Sequence, residues 1–259
     1  MRRFATRVVL LVVLSTLGIA KQASAVTGGT PNPDPSADGV VMILTNDSQC
    51  SGAVIAPTVV LTAAHCLADP MASNYTVLGG LNPFQTSLFS IAASEVHQHP
   101  NFDSNTITHD VGVLILESAA PATPLPWFAT DQGFYTIGTQ VGILGYGGTG
   151  PSGSDAGIRR SGVTAVAEVS AGQFLTNNTT GPGMCVGDSG GPAITTDEIT
   201  SGTIIGVSAF GDPDCAQFSA FGRTDANADF IGLYAPEPNA VASVEIAVGA
   251  LFVLARRRG

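Results

Sequence analysis

Three segments of the 259-residue chain carry side chains whose types could do covalent chemistry. Cys185-Val186-Gly187-Asp188-Ser189-Gly190-Gly191-Pro192 sets one hydroxyl among glycines that let the backbone turn tightly and come close to a substrate. Leu61-Thr62-Ala63-Ala64-His65-Cys66 puts an imidazole directly after a short apolar run. His109-Asp110-Val111-Gly112-Val113-Leu114-Ile115-Leu116 puts a carboxylate at the mouth of another. A hydroxyl is a poor nucleophile unless a neighbouring base takes its proton, and an imidazole beside a carboxylate is a base of that kind. Taken singly, each segment has an ordinary reading: a glycine-rich turn, a structural histidine, an aspartate at the start of a strand.

The elements that must position these groups are short apolar runs with turn residues between them. They cover Val40 to Leu44, Ala53 to Ile55, Val59 to Leu61, Tyr75 to Leu78, Val111 to Leu116, Val141 to Tyr146, Ile158 to Val169 and Thr203 to Ser208. Such runs predict β-strands in a sandwich or barrel. Helical periodicity is confined to Asp225 to Tyr234, where Phe230, Ile231 and Tyr234 share a face. The fold class is therefore mainly β. Ser118 to Pro126, rich in Ala and Pro, predicts a connection between two β halves, and Gly145 to Gly157 a surface loop. With 44% apolar residues the chain has enough material for a sizeable core, and disorder is excluded.

The three segments together resemble the chymotrypsin family, whose motifs T-A-A-H-C, D-[IV]-x-[LV]-[LI] and G-D-S-G-G-P occur here in the family's order of His, Asp, Ser. The resemblance runs over nearly all of residues 26–235 and implies an all-β fold of two six-stranded antiparallel barrels, approximately 26–120 and 121–235. The active site would lie between them, and a short helix would end the domain. It also implies a serine endopeptidase acting on protein or peptide substrates, with Ser189 as nucleophile, His65 as general base and acid, and Asp110 orienting His65. Backbone N–H groups of Gly187 and Ser189 would form the oxyanion hole. The implied disulfides are Cys50 to Cys66 and Cys185 to Cys215; from the residues alone, four cysteines in an exported chain allow three pairings. Neither a C-x-x-C pair nor an H-x-x-x-H spacing is present, which argues against zinc, and no metal or other cofactor is expected.

Many members of the family begin with I-V-G-G and insert the new ammonium beside the aspartate preceding the catalytic serine. Here Val26-Thr27-Gly28-Gly29 follows Ala25, so cleavage there would let Val26 pair with Asp188. By the same resemblance Gly183 stands at the floor of the specificity pocket, with Ser208, Gly211 and Ser219 in its walls. No carboxylate stands at position 183, which disfavours cleavage after Arg or Lys and predicts an apolar or aromatic P1 residue. His97, His99 and His109 carry no motif of their own and are assigned turn or surface roles. N-x-[ST] matches at Asn46, Asn74, Asn177 and Asn178 are weak signals.

The ends differ from the middle. Arg2, Arg3 and Arg7 precede the apolar run Val8 to Leu14, and Ala23-Ser24-Ala25 offers small residues for cleavage, which reads as a secretory signal peptide over residues 1–25. Ala240 to Ala255 is mostly apolar, preceded by Pro236-Glu237-Pro238 and followed by Arg256, Arg257 and Arg258. Residues 236–259 thus resemble a bacterial PEP-CTERM sorting signal, which implies transient membrane association through a short helix and processing by an exosortase. A plain C-terminal membrane anchor is the alternative. Between the two ends, residues 26–235 hold three arginines against 18 acidic residues, a formal charge of −15, which excludes nucleic acid as a partner. The chain is expected to be a monomer at the cell surface or outside the cell. The alternative function is a catalytically silent binding protein on the same scaffold, although such relatives typically lose triad residues and all three are present here.

Overall fold

Residues 26–196 and 202–235 are described by the computed structural model; both terminal segments, 1–25 and 236–259, lie outside the described residues. A two-residue strand, Thr30–Pro31 (β1), comes first. Then Val40–Leu44 (β2), Gln49–Ala56 (β3), Val59–Thr62 (β4), Thr76–Gly79 (β5), Phe89–Gln98 (β6) and Gly112–Leu116 (β7) close into an antiparallel barrel in the order β2-β3-β4-β7-β6-β5. Gln140–Gly145 (β8), Arg160–Val169 (β9), Gln173–Asn177 (β10), Pro192–Thr195 (β11), Ile204–Gly211 (β12) and Phe218–Arg223 (β13) form the second barrel, which the β8 to β9 pairing closes. The expected two-barrel, mainly β architecture is therefore present. Closure leaves no long unpaired strand edge.

Each barrel fills itself with the apolar runs visible in the sequence. Val40, Val41, Met42 and Ile43 of β2 are all fully buried, as are Val113 and Leu114 of β7. One hydrophobic cluster joins the first barrel to Leu144, Tyr146, Ile194, Ile204 and Val207 of the second, so the two barrels share a packed wall. Burying each such side chain contributes about 1.5–3 kcal/mol.

The chain ends cross over. Val26 is buried in the core of the second barrel and β1 pairs with β9. Phe230 and Ile231, from the short helix Ala228–Ile231 (α1), pack in the cluster of the first barrel. This helix is shorter than the predicted Asp225 to Tyr234: its first turn, Asp225–Asn227, is a 3-10 turn, and one α-helical turn suffices to seat Phe230 and Ile231. Among the described residues no helix is long and apolar enough to cross a membrane.

Five strands escape the hydrophobic pattern: β1, β6, β10, β11 and β13. β6 shows why, since only Ala93 is buried among its ten residues and polar or half-buried side chains fill the rest. Arg159 beside β9 is also unanticipated. Its guanidinium is 1% exposed, pairs with Asp38 at 2.7 Å and donates to the carbonyls of Asn32 and Asp34, fixing the segment that leads from β1 to β2.

Candidate active site

Strand register brings the first two groups together. β4 and β7 run antiparallel, with Thr62 opposite Gly112, so the residues just after β4 and just before β7 emerge at one edge. His65 follows β4 in the 3-10 turn Ala64–Leu67, and Asp110 precedes β7. Asp110 is fully buried. Its Oδ2 lies 2.6 Å from His65 Nδ1, and its Oδ1 accepts the backbone N–H of His65 at 2.8 Å. With Nδ1 donating, the other ring nitrogen, Nε2, presents its lone pair outward.

Ser189 arrives from the second barrel, in the loop between β10 and β11, and its main chain is bolted to the first. Ser51 N–H on β3 donates to Ser189 O at 2.8 Å, and Ser51 Oγ donates to Gly187 O at 2.9 Å while accepting Tyr146 N–H at 2.9 Å. Thr62 Oγ1 in turn donates to Ser51 O at 2.8 Å. The disulfide Cys50–Cys66 lies between the two catalytic candidates: Cys66 Sγ is 3.8 Å from His65 Nε2 and 3.7 Å from Ser189 O. A bonded sulfur has no proton, so these are contacts and not donated hydrogen bonds. Cys50, His65 and Cys66 cluster as metal ligands might in another chain, but the disulfide leaves no thiolate to bind a cation.

Gly187 and Gly190 both adopt positive φ, +93° and +83°, which a side chain would strain. Around them the N–H groups of Asp188, Gly190 and Gly191 donate to Cys185 O, Ser208 O and Asp188 O. The N–H groups of Gly187 and Ser189 have no acceptor among the described residues, which leaves two donors beside the hydroxyl.

Asp188 is fully buried, accepting Gly147 N–H at 2.7 Å and Cys185 N–H at 3.0 Å. Burial pushes its carboxyl up to about 7, against the opposing pull of these N–H groups, of the Val26 backbone N–H and of the more distant Arg160. The buried first residue of the family-like segment thus faces the residue before Ser189.

Two cavities flank the candidate catalytic groups. Thr45, Asp47, His65, Cys66, Asp69 and Tyr75 are among the residues around one. The other opens at Ser189, and its lining includes Met184, Cys185, Ser208, Phe210, Gly211, Cys215 and the carboxylate residue Asp212. The second disulfide, Cys185–Cys215, forms part of its wall. Of the residues expected in a specificity pocket, Ser208 and Gly211 line this cavity. Gly183 and Ser219 are not among its lining residues; both are buried and lie beside Asn178. Asp212 is a carboxylate that sequence reasoning did not place there. Burial would raise its pKa, but the N–H groups of Ala216, Gln217 and Phe218 outweigh that and hold it below the ordinary range.

Ser51, Thr62 and Asn178 were not anticipated. Thr62 stands inside a segment quoted for the family resemblance, yet only the packed structure shows that it and Ser51 carry the Ser189 loop.

The family model described as Trypsin matches residues 26–231. A trypsin of Saccharopolyspora erythraea is 28% identical over 192 residues, covering 68% of this chain and 82% of that protein. Brachyurin of Leptuca pugilator is 31% identical over 183 residues, covering 62% and 75%. A solved structure described as HL collagenase superposes with a TM-score of 0.68 at 19% identity, covering 79% of this chain and 96% of the other, a likeness of fold.

Proposed function

The chain belongs to the trypsin family of serine proteases, and from that premise we propose that it is an exported serine endopeptidase using Ser189, His65 and Asp110. The observation that carries this reading is the two-point hold of His65 by a fully buried Asp110, beside a Cys66 sulfur that touches both His65 Nε2 and the Ser189 carbonyl.

In the proposed cycle His65 Nε2 takes the Ser189 proton as Oγ attacks the scissile carbonyl, and Asp110 stabilises the resulting imidazolium. The oxyanion is received by the two uncommitted N–H groups of Gly187 and Ser189; one such donor is worth about 2.7–4 kcal/mol to the transition state. His65 then protonates the leaving amine, and water, activated the same way, releases the acyl group from Ser189.

Substrates are proteins or peptides. The expectation of an apolar or aromatic P1 residue is supported by the apolar part of the cavity wall, Met184, Phe210 and a disulfide. Release of Val26 by signal cleavage after Ala25 would supply the cation that buried Asp188 lacks at close range, completing the site without a separate activation peptide. Export by residues 1–25, sorting and exosortase processing at residues 236–259, and a monomeric state rest on the sequence alone.

A fluorophosphonate probe with intact-mass readout tests the proposal. One adduct per chain is expected on the mature protein and none on Ser189→Ala, while the same masses report both chain ends. Failure of the wild-type protein to react, or equal reaction of the Ser189→Ala variant, would overturn it.

A further inference from the structure

The space into which a side chain at position 183 would project is already filled. A Cβ on Gly183 would collide with Cγ, Nδ2 and Oδ1 of Asn178, the whole carboxamide of a residue from the end of β10. That amide is held in place. Nδ2 donates to Ser219 Oγ at 3.0 Å and reaches Cys215 O at 3.4 Å, and the fully buried Ser219 hydroxyl also accepts Met184 N–H at 2.9 Å. Thr27, the residue that departs from the family's I-V-G-G, braces the same layer: its Oγ1 donates to Gly183 O at 3.1 Å and lies 3.3 Å from Cys215 O. Gly183 and Ser219 are not among the residues lining the cavity at Ser189, and two that are, Met184 and Cys215, meet Ser219 and Asn178 through their backbone N–H and carbonyl.

We propose that Asn178 is a specificity-determining residue: packed behind the cavity walls Met184 and Cys215, its carboxamide limits the depth of the P1 pocket so that it takes short aliphatic side chains in preference to aromatic ones. This rests on the protease reading above and narrows its P1 class. The physical reason is space. A ring that needed the depth below Met184 would have to displace an amide hydrogen-bonded to Ser219. Charge is no part of this discrimination, because Asp212 lines the same cavity as a carboxylate whose ionised form is favoured by the N–H groups of Ala216, Gln217 and Phe218.

The test compares kcat/KM for peptides differing only at P1, as Leu, Phe or Arg, on the wild-type protein, Asn178→Ala and Asn178→Asp. The wild type is expected to favour Leu over Phe by about tenfold or more. Asn178→Ala should raise the Phe to Leu ratio about tenfold, and Asn178→Asp, which adds a carboxylate, should raise cleavage after Arg relative to Leu by a similar factor. A wild type that prefers Phe, or substitutions that fold yet leave all ratios unchanged, would overturn the proposal. If Asn178→Ala does not fold, the Asn178→Asp ratio decides. Calorimetric binding of the product peptides ending in Leu, Phe or Arg to Ser189→Ala reads the same discrimination without turnover. An unreactive Ser189 would therefore remove the protease reading while the binding ratios still decide the role of Asn178.

Discussion

Asp110 holds His65 at two points, one oxygen on the ring Nδ1 at 2.6 Å and the other on the His65 backbone N–H at 2.8 Å. Ring tautomer and ring position are thus fixed by a single buried carboxylate, and the register of β4 against β7 places that carboxylate where it can do so.

Asp110→Asn keeps the shape but gives the side chain an NH2 group in place of one oxygen. If the oxygen stays on the backbone N–H, the NH2 faces Nδ1 and forces the ring to carry its proton on Nε2, where it cannot act as base. A fall in kcat/KM of about 10^4 is expected, the size known for this substitution in a triad of this type. Steady-state kinetics beside an unchanged urea midpoint would check it; a loss below tenfold would show that Asp110 does not set the tautomer.

The buried Asp188 gives the unprocessed chain a particular pH dependence. Its pKa is pushed up to about 7 in the folded protein, so between the ordinary carboxylate value and about 7 the native state binds more protons than the unfolded one. Stability from this group is therefore highest at acid pH and is lost as pH rises toward 7. A free Val26 ammonium would favour the carboxylate and remove that loss. Urea midpoints at pH 5 and pH 8, for a chain starting at Val26 and one retaining Ala25, should show the gap between the two widening at the higher pH. A gap that stays constant would mean that the ammonium does not reach Asp188.

Gly190 should tolerate no side chain. Its φ of +83° is unfavourable for any L residue, and a Cβ there would strike Thr62 Oγ1 and Ser51 O, the groups that carry the Ser189 loop. Left-handed strain of about 1–2 kcal/mol and overpacking of about 1–3 kcal/mol make Gly190→Ala a destabilisation of roughly 2–5 kcal/mol. Chemical denaturation measures it, and reaction of Ser189 with the probe should slow in parallel.

Near Asp110, the rings of His99 and His109 stack at 4.6 Å, and Phe230 of α1 covers His99. Burial, and secondarily the charge of His109, lowers the His99 pKa. The unfolded chain then takes up a proton that the folded one resists, so stability is retained above the ordinary histidine range and lost as pH falls through it. His99→Gln should flatten the decline in melting temperature between pH 7.5 and pH 5. An unchanged slope would place the acid sensitivity elsewhere.

The sequence by itself determined the chemistry and the fold class. A hydroxyl, an imidazole and a carboxylate in T-A-A-H-C, H-D-V and G-D-S-G-G-P order are legible because each is tied to a local backbone need: a glycine turn, a strand end, a strand start. Most core strands were legible too, since a strand buried in a closed barrel is a continuous apolar run, as β2 and β7 are. Strands such as β6, with one buried residue in ten, carry no such run and are recruited by hydrogen bonding to neighbours already in place. Only the tertiary structure decided how the groups meet. Ser51 braces the Ser189 loop, Arg159 is buried against Asp38, and Asn178 occupies the position that a residue at 183 leaves open. These contacts join residues up to 136 positions apart, where nothing local in either segment encodes the other, so they exist only once both barrels have closed.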